Sequence, residues 1–173
     1  GAGIAGIAAA YYLSAIHHKS SVLLIDSRQA MSFTSAQSGD NYRNWWPHPT
    51  MTDFTNDSID ELDRLARESD DFFHMTRGGY CLATRQSDVE NILAAIPGAI
   101  DVDVLSTADK ICQSFPALSS EIRNVIHIRR GGDISGDQLG QYLLQKFGKA
   151  GGERMRGNVT SIAAEDSYQI TVA

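Results

Sequence analysis

The sequence contains little cysteine and proline, no long hydrophobic run and a minority of basic residues. Only 2 of its 173 residues are Cys and 4 are Pro, which excludes a disulfide-rich scaffold and a proline-rich disordered chain. No run approaches the roughly 18 apolar residues of a membrane-spanning helix. Lys and Arg number 15 against 21 Asp and Glu, so the formal net charge of −6 disfavours a nucleic acid partner. With 42% hydrophobic side chains, the chain has enough apolar material for a core of ordinary domain size.

The two cysteines, Cys81 and Cys112, show none of the spacings typical of metal sites or redox motifs. We therefore expect two buried, reduced thiols in an intracellular protein, with a disulfide between them as the alternative. A cytoplasmic location and the absence of a bound metal are the corresponding predictions.

Both ends of the sequence predict that it is a piece of a longer protein. A glycine-rich turn begins at Gly1, although turns of this kind normally follow a buried strand that delivers the chain into them. At the other end, the alternation of Tyr168 to Val172 is typical of a strand. We expect the intact protein to supply a first strand before Gly1 and a carboxyl-terminal half after residue 173.

Helical and strand patterns alternate along the chain, which predicts an α/β fold. Apolar residues recur every three or four positions between 4 and 16, and the short apolar run 21–26 is typical of a buried parallel strand. Residues 27–50 have no period and predict a long loop. The further helices predicted from periodicity and capping residues are 53–69, 87–96, 106–115 and 135–150. The further predicted strands are 72–75 and 80–84, which form a hairpin, 101–105, 125–128, 153–156, and a second hairpin of 159–164 and 168–172 with its turn at 165–167.

The glycine-rich turn contains the residue types that bind the diphosphate of a dinucleotide. Gly1 makes the turn, Gly3 allows close approach of the diphosphate, and Gly6 with the later Ala10 allows the helix to lie near the sheet. The unpaired amide groups of the first helical turn, which contains Ile4 and Ala5, face the anion.

Asp26 ends the next strand about 20 residues after Gly6, which is the place of an acid that accepts hydrogen bonds from a ribose. Its negative charge disfavours a 2′-phosphate, so NADP is a poor candidate. Ser27 and Arg28, directly after the acid, are included in the predicted cofactor site. The turn works in the same way for FAD and for NAD, and a helix start that only needs tight packing is the alternative.

Four segments carry a resemblance to a known family. They are the turn and helix over 1–13, the strand 22–26, the segment Thr34-Ser35-Ala36-Gln37-Ser38-Gly39-Asp40-Asn41-Tyr42-Arg43-Asn44-Trp45-Trp46-Pro47, and Gly131 to Ser135 followed by Leu139, Leu143 and Leu144. The first two are shared by many flavoproteins, whereas the Tyr-Arg-Asn-Trp-Trp-Pro core of the third is the most specific. On these segments the whole chain resembles the amino-terminal half of the FAD-dependent oxidoreductases of the D-amino-acid oxidase superfamily, especially the branch of sarcosine oxidase and dimethylglycine dehydrogenase.

The resemblance implies a Rossmann-like FAD-binding domain into which part of an α+β substrate domain is inserted. The FAD-binding domain corresponds to residues 1–70 and 131–173, and the partial substrate domain to residues 71–130. FAD is the implied cofactor, and a small amine or amino acid is the implied substrate. The implied reaction transfers a hydride from the carbon bearing the amine to the flavin, after which water hydrolyses the imine.

The resemblance also implies roles for residues beyond the glycine turn. Ser35, Gln37, Ser38, Gly39 and the neighbouring residues 41–43 are expected to line the cofactor or the substrate. Arg43 is the implied catalytic residue, because its planar guanidinium can hold a substrate carboxylate or stabilise the negative charge of a reduced flavin. Backbone groups of Val159 correspond to those that contact the adenine.

Several roles are left open by the sequence. Trp45 and Trp46 fit packing between the domains as well as stacking on a substrate. His74 and His127 are candidate catalytic residues, although histidines without a partner at a defined spacing are usually surface residues. The alternative functions are an NAD-linked dehydrogenase with the same turn and a non-catalytic fragment of a flavoprotein. The chain by itself is predicted to be inactive, and no oligomeric state is predicted.

Overall fold

The computed structural model of the chain describes residues 1–46, 48–86, 89, 101–164 and 167–173. The predicted helix 87–96, the predicted turn 165–167 and Pro47 lie wholly or largely outside this described part. Two compact units are formed: unit 1 consists of residues 1–40 and 135–173, and unit 2 of residues 41–134. Among the described residues, no helix has the length and apolar character needed to cross a membrane.

The boundaries of the two units differ from those of the three segments predicted from the sequence. The predicted substrate segment 71–130 lies within unit 2, whereas the predicted FAD-binding segment 1–70 is divided between the units after Asp40. The return to unit 1 occurs at Ser135, four residues after the start of the predicted segment 131–173. Helices and parallel strands occur together, as the predicted α/β class requires.

The first helix of unit 1 follows directly from the glycine turn. Helix α1 spans Ile4–Tyr11, and a π-helical turn continues it over Tyr12–Ile16, which confirms the helix predicted over 4–16. The wider turn forms where the Ser14 hydroxyl donates a hydrogen bond to the Ala10 carbonyl oxygen (2.8 Å). Side-chain bonding of this kind competes with the regular helical hydrogen bonds and distorts the helix locally.

A parallel strand pair forms the sheet of unit 1. Strand β1 (Leu23–Asp26) pairs with β7 (Glu153–Arg156), and Asp26 lies opposite Arg156. Helix α4 (Gly136–Lys149) precedes β7 and packs against α1. Asp26 therefore occupies the carboxyl end of β1, which is the end where ligands bind in α/β sheets.

The ends of α4 have the caps that the sequence predicts. The Ser135 hydroxyl oxygen accepts a hydrogen bond from the Gln138 amide (3.4 Å). At the other end, Gly151 has a φ of 84°, a left-handed conformation that glycine adopts without steric cost. After β7 the chain forms the predicted hairpin of β8 (Val159–Ala164) and β9 (Tyr168–Val172).

Unit 2 combines helices with antiparallel strands. Its helices are α2 (Pro49–Glu68) and α3 (Ala108–Ser114). Its strands are β2 (Asn41–Arg43), β3 (Tyr80–Thr84), β4 (Val102–Leu105), β5 (Asn124–Ile128) and β6 (Gly131–Asp133). Strand β5 lies between β3 and β4, and β2 pairs with β6. Ile126 and Ile128 on β5 are fully buried at the centre of this unit.

Two local predictions are wrong in this part of the chain. Residues 72–75 do not form a strand, and β3 pairs with β5 instead of closing a hairpin. Phe73 and Met75 are nevertheless buried, so the apolar run reflects a buried connection and not a strand. The loop predicted over 27–50 contains a 3₁₀ turn (Thr34–Gln37) and β2, because β2 pairs with a strand far along the chain that no local pattern reveals.

The two cysteines are free thiols, as predicted, but both are exposed and not buried. Side chains alternate between the faces of a strand, and on β3 it is Leu82 that packs against the cluster of Ile126 and Ile128. Cys81, its neighbour in the chain, therefore faces away from that cluster. The composition shows that the thiols are few, but only the pairing of β3 with β5 shows which face of β3 Cys81 occupies.

The core of unit 1 is built from α1 and α4. Ile7 on α1 and Phe147 on α4 are fully buried, and Leu143 is nearly so. We predict that Phe147→Ala lowers the free energy of unfolding by about 3–5 kcal/mol, because the removed ring leaves a cavity that the backbone cannot close. Gln145→Ala, an exposed position of the same helix, should change it by less than about 0.5 kcal/mol. Denaturant unfolding followed by circular dichroism measures both, and equal effects of the two substitutions would contradict the assignment of this core.

Candidate cofactor-binding site

The glycine turn is closed by contact between its first and last glycines. A Cβ atom at Gly6 would overlap the carbonyl oxygen of Gly1, and it would lie 3.8 Å from the Leu24 side chain on β1. The overlapped atom belongs to the backbone, which cannot rotate away as a side chain can, so only glycine fits at this position. Gly6 thus allows the turn to fold back on α1 as well as allowing the helix to approach the strand.

Ala2 joins the turn to the segment that follows β1. Its N–H donates a hydrogen bond to Oδ2 of Asp26 at 2.6 Å, and its carbonyl oxygen accepts one from the Met31 N–H at 2.8 Å. Ala2 itself is buried. The acid at the end of β1 therefore points at the glycine turn, as the interpretation of this turn as a dinucleotide site requires.

The carboxylate of Asp26 is held in its ionised form. Its second oxygen, Oδ1, accepts a hydrogen bond from the Arg28 N–H at 2.7 Å. The backbone hydrogen bonds from Ala2 and, to a smaller extent, from Arg28 hold the pKa of Asp26 below its ordinary value, because they stabilise the charged form. An ionised carboxylate has about four acceptor positions, so Asp26 can also accept hydrogen bonds from two ribose hydroxyls.

The amino end of α1 presents a group of hydrogen-bond donors. The Ser35 hydroxyl oxygen accepts a hydrogen bond from the Ile4 N–H at 3.0 Å, which leaves the Ser35 O–H available as a donor. The hydrogen bonds of the helix begin with the Ile7 N–H and the Gly3 carbonyl oxygen (3.0 Å), so the two amides in between have no partner within the helix. Donors in this arrangement, at the positive end of a helix dipole, bind anions.

A cavity of about 340 Å³ lies beside these groups, and half of its lining was predicted from the sequence. The predicted residues that line it are Gly3, Asp26, Ser27, Arg28 and Ser35. The other lining residues are Ala2, Gln29, Ser32, Phe33 and Thr34. Phe33 contributes an exposed ring, over which the Arg28 guanidinium lies 4.4 Å from the ring centroid. The polar composition of residues 27–50 indicates a functional loop, but it does not show which of its residues face a cavity.

Other predicted site residues of unit 1 lie around this cavity or further along the same elements. Gly1, Ile4, Ala5 and Gly6 form the turn and the start of α1. Gln37, Ser38 and Gly39 are exposed near the end of the loop, where the Ser38 hydroxyl oxygen accepts a hydrogen bond from the Asp40 N–H (3.1 Å). Their assignment to the cofactor or to the substrate stays a prediction.

Val159 is the first residue of β8 and follows a short link that is joined to Asp26. The Gly157 N–H donates a hydrogen bond to the Asp26 carbonyl oxygen at 3.0 Å. Asn158 and Ala173 exchange two backbone hydrogen bonds at 2.7 and 2.8 Å. In an antiparallel pair, residues that exchange hydrogen bonds with the partner strand alternate with residues that do not. Val159 follows Asn158, so its N–H and carbonyl group point away from β9. This orientation is compatible with the predicted backbone contact to an adenine.

Arg43 lies in unit 2, where aromatic rings surround its guanidinium. The guanidinium carbon is 4.6 Å from the centroid of the Tyr80 ring and 5.4 Å from that of Trp46. Arg43 and Trp46 line a cavity of about 180 Å³ next to α2. Trp45 instead stacks on Tyr80 and packs against the buried cluster of β5, which belongs to the same unit. Packing between the domains and stacking on a substrate stay predictions for both tryptophans.

The two candidate histidines are placed differently. Nε2 of His127 is 3.1 Å from the Gly78 carbonyl oxygen, and its ring lies nearly perpendicular to that of Phe115 at a centroid distance of 5.4 Å. His74 is exposed in a turn where its φ is 51°. These surroundings fit structural roles for both residues.

A sequence model of the FAD-dependent oxidoreductase family, DAO, matches the chain over residues 1–173. The chain belongs to this family. Its cofactor is therefore FAD, which resolves the choice that the glycine turn leaves open between two dinucleotides. No curated protein matches the sequence.

Solved structures of other proteins show the same fold. The L-proline dehydrogenase from P. horikoshii has a TM-score of 0.83 at 18% identity, and the match covers 96% of this chain and 45% of that protein. Iminodiacetate oxidase from Chelativorans sp. BNC1 has a TM-score of 0.81 at 21% identity, covering 100% and 50%. The L-α-glycerophosphate oxidase from Mycoplasma pneumoniae, solved with FAD bound, has a TM-score of 0.80 at 19% identity, covering 99% and 48%. The chain spans about half the length of these proteins.

We predict that Gly6→Ala weakens FAD binding about fivefold or more in the intact protein, because the new methyl group must displace the Gly1 carbonyl at a cost of about 1–3 kcal/mol. Gly148→Ala is a matched control, since a Cβ atom there meets nothing within 4 Å. It lies on α4 and should raise the free energy of unfolding by about 0.5–1 kcal/mol without changing FAD affinity. Fluorescence titration with FAD and denaturant unfolding measure the two effects. Unchanged FAD affinity of the Gly6→Ala protein would show that the turn is not the binding site.

The hydrogen bonds of Asp26 predict a defined pH dependence. Because its pKa is lower in the folded protein than the ordinary value of 3.8, the ionised carboxylate stabilises the fold above that pH, and the stabilisation is lost as the pH falls through the folded pKa. Asp26→Asn should therefore destabilise the protein at pH 7, since an amide offers one acceptor oxygen to two N–H donors. The difference from the wild type should shrink below pH 3.8. Unfolding measured at pH 7 and below pH 3.8 tests this prediction, with Glu153→Gln, an exposed position of β7, as the control for loss of a carboxylate. A difference that does not change with pH would contradict the assignment.

Proposed function

We propose that the intact protein is an FAD-dependent enzyme that oxidises the C–N bond of an amino acid or an N-methylated amine. The observation that carries this proposal is the 2.6 Å hydrogen bond between Ala2 and Asp26, which directs the carboxylate proposed to bind the ribose at the glycine turn. The family match over the whole chain supports it. Two proteins of the same fold are named as a proline dehydrogenase and an iminodiacetate oxidase, which are activities on substrates of this class.

The residues of unit 1 fit the adenosine diphosphate part of FAD. Asp26 accepts the ribose hydroxyls, and the free amides of α1 together with the Ser35 O–H bind the diphosphate. The outward-facing backbone of Val159 offers one donor and one acceptor to the adenine edge. Gln37, Ser38 and Gly39 complete the proposed set of cofactor or substrate contacts. When bound, the cofactor supplies the hydride acceptor for the oxidation.

Arg43 is the proposed substrate-binding residue. Its guanidinium lies close to the rings of Tyr80 and Trp46, and contact with these rings restricts its planar fork before a ligand arrives. Such a fork can bind a carboxylate through two parallel hydrogen bonds. Among the described residues that line its cavity there is no acid to pair with an ammonium group, which favours the neutral amine. The neutral amine is the form from which a hydride can leave, and water hydrolyses the resulting imine to a carbonyl compound and an amine.

The test uses the intact protein with glycine, sarcosine and proline under anaerobic conditions. We expect a yellow protein whose visible flavin absorbance disappears on addition of at least one of these compounds, with equimolar formation of the carbonyl product. A colourless protein that binds NAD would favour the NAD-linked dehydrogenase. A yellow protein that no amino acid or N-methylated amine can reduce would overturn the proposed reaction.

Substitution of Arg43 separates carboxylate binding from the rest of the reaction. Arg43→Lys keeps the positive charge and removes the fork, so KM for a carboxylate-bearing substrate should rise about tenfold or more. KM for an amine without a carboxylate should stay the same. Arg85→Lys in the same unit, where Arg85 pairs with Glu121 at 2.7 Å, is the matched control. Equal changes for both kinds of substrate would exclude the carboxylate role.

A further inference from the structure

One face of helix α2 lines the cavity beside Arg43. Its four lining residues lie at steps of three or four along the helix and therefore share that face. They are Thr55, Ser58, Ile59 and Leu62, and they form the α2 wall of the cavity. At a rise of about 1.5 Å per residue, the α2 wall is about 10 Å long, which is enough for an amino acid with its side chain. The chemistry of this wall decides which side chain can lie beside Arg43.

The hydroxyl groups around this cavity use their protons within the protein. The Thr55 and Ser58 hydroxyls each donate a hydrogen bond of 2.8 Å to the helix carbonyl oxygen four residues earlier. Hydroxyl groups of Ser and Thr commonly bond back to their own helix in this way. The Tyr42 hydroxyl, which also lines the cavity, donates to the Thr76 carbonyl oxygen at 2.6 Å. Since a hydroxyl has a single proton, these three groups offer no donor to an acceptor on a ligand.

The other two residues of the α2 wall are apolar. Ile59 is buried and Leu62 is half-buried, and both side chains are pure hydrocarbon. A hydrocarbon group of a ligand gains free energy when it leaves water for this wall. A carboxylate or carbonyl group placed there would lose its hydration without gaining a hydrogen-bond donor.

Arg43 supplies hydrogen-bond donors at the opposite side of the cavity. Its Nε is buried and has no hydrogen-bond partner among the described residues. Its Nη1 donates a long hydrogen bond, 3.4 Å, to Oδ1 of Asn41. A buried donor without an acceptor is unfavourable, and a ligand carboxylate would supply the acceptors. The cavity thus offers a cationic end to a carboxylate and an apolar wall to a side chain.

Hydrogen bonds join α2 to the chain on either side of β2. Asn44, directly after β2, is fully buried, and its Nδ2 donates to Oδ1 of Asn56 at 3.0 Å. The Arg130 guanidinium donates to the Asp60 carboxylate at 2.6 Å and to the Asn56 carbonyl oxygen at 3.2 Å. The Arg130 carbonyl oxygen in turn accepts a hydrogen bond from the Asn44 N–H at 3.0 Å. The distance between Arg43 and the α2 wall is therefore set before a ligand binds, and a preformed cavity selects ligands by size and shape.

We propose that the α2 wall is a subsite for an aliphatic side chain, so that the substrate is an amino acid of about the size of leucine or its N-methyl derivative. Arg43 binds the carboxylate, and the side chain lies against Ile59 and Leu62. The cavity volume of about 180 Å³, that of about six water molecules, fits such a ligand. Acidic side chains are excluded, because a second carboxylate finds no donor on the α2 wall. This inference rests on the proposed function, which takes Arg43 as the carboxylate-binding residue.

The test uses three carboxylates that have no amine and therefore bind without being oxidised. They are 4-methylpentanoate, which is leucine without its amine, succinate, in which a second carboxylate replaces the isopropyl group, and acetate, which has no side chain. In calorimetric titrations of the intact protein, 4-methylpentanoate should bind at least about tenfold more tightly than succinate or acetate. Arg43→Lys should weaken its binding about tenfold or more.

A change of specificity tests the α2 wall itself. Leu62→Asn places an amide donor on the wall, so succinate should bind about fivefold or more tightly and 4-methylpentanoate about fivefold or more weakly. Leu118→Asn changes a half-buried leucine of unit 2 that does not belong to the α2 wall, and as the matched control it should leave both affinities unchanged. Should Leu62→Asn fail to fold by circular dichroism, Ser58→Asn introduces the same donor at a position that is already polar and should shift the two affinities in the same directions.

Two results would overturn the subsite: equal affinity for 4-methylpentanoate and either of the other carboxylates, or 4-methylpentanoate binding that neither Arg43→Lys nor Leu62→Asn weakens. Flavin reduction by leucine and N-methylleucine, each as the racemate, tests the reaction separately. A protein that binds 4-methylpentanoate as expected but is reduced by neither compound would support the subsite and overturn the proposed oxidation. Reduction by sarcosine together with equal affinity for the three carboxylates would support the oxidation and overturn the subsite.

Discussion

The hydrogen bond from the Ala2 amide to the Asp26 carboxylate connects the start of the chain to the end of β1, and the geometry of the candidate site depends on it. A bond to an ionised acceptor is shorter and stronger than one between neutral groups, and its length of 2.6 Å is consistent with that. It holds the glycine turn in position beside the acid before any ligand is present. The same bond lowers the pKa of Asp26, so the structure also keeps the carboxylate in the form that accepts ribose hydroxyls.

The loop after β1 is held on both sides of the cavity that it encloses. Near its start, the Met31 amide bonds to the Ala2 carbonyl, and the buried Met31 side chain packs against Gly140 of α4. Further along, the Ser35 hydroxyl accepts the first free amide of α1. Two points of attachment keep a polar loop, with few apolar residues of its own, next to the helix end that it serves.

Asp26 stands between two cavities of different electrostatic character. On the side of α1, the lining combines helix amides, hydroxyl groups and the acid, as the binding of a sugar diphosphate requires. On the side of β7, three guanidinium groups dominate. An overall net charge of −6 conceals this local excess of positive charge. Net charge is a sum over the whole chain, whereas the fold brings together arginines that are far apart in the sequence, Arg28 on one side and Arg154 and Arg156 on the other. Local charge, and not net charge, decides which ligands such a surface attracts.

Local patterns in the sequence determined the glycine turn, α1, the buried strand β1 with its terminal acid, the capped helix α4 and the final hairpin, because each depends on neighbouring residues and on backbone geometry. The pairing of β3 with β5 and of β2 with β6 was decided only by the tertiary structure, since these strands are separated by long stretches of chain and carry no mutual signal. The same holds for the cavity around Asp26. Its acid and glycines could be predicted, whereas Phe33, Arg154 and Arg156 enter the two cavities through the path of a loop and the register of a parallel strand, which are set by packing and not by any local motif.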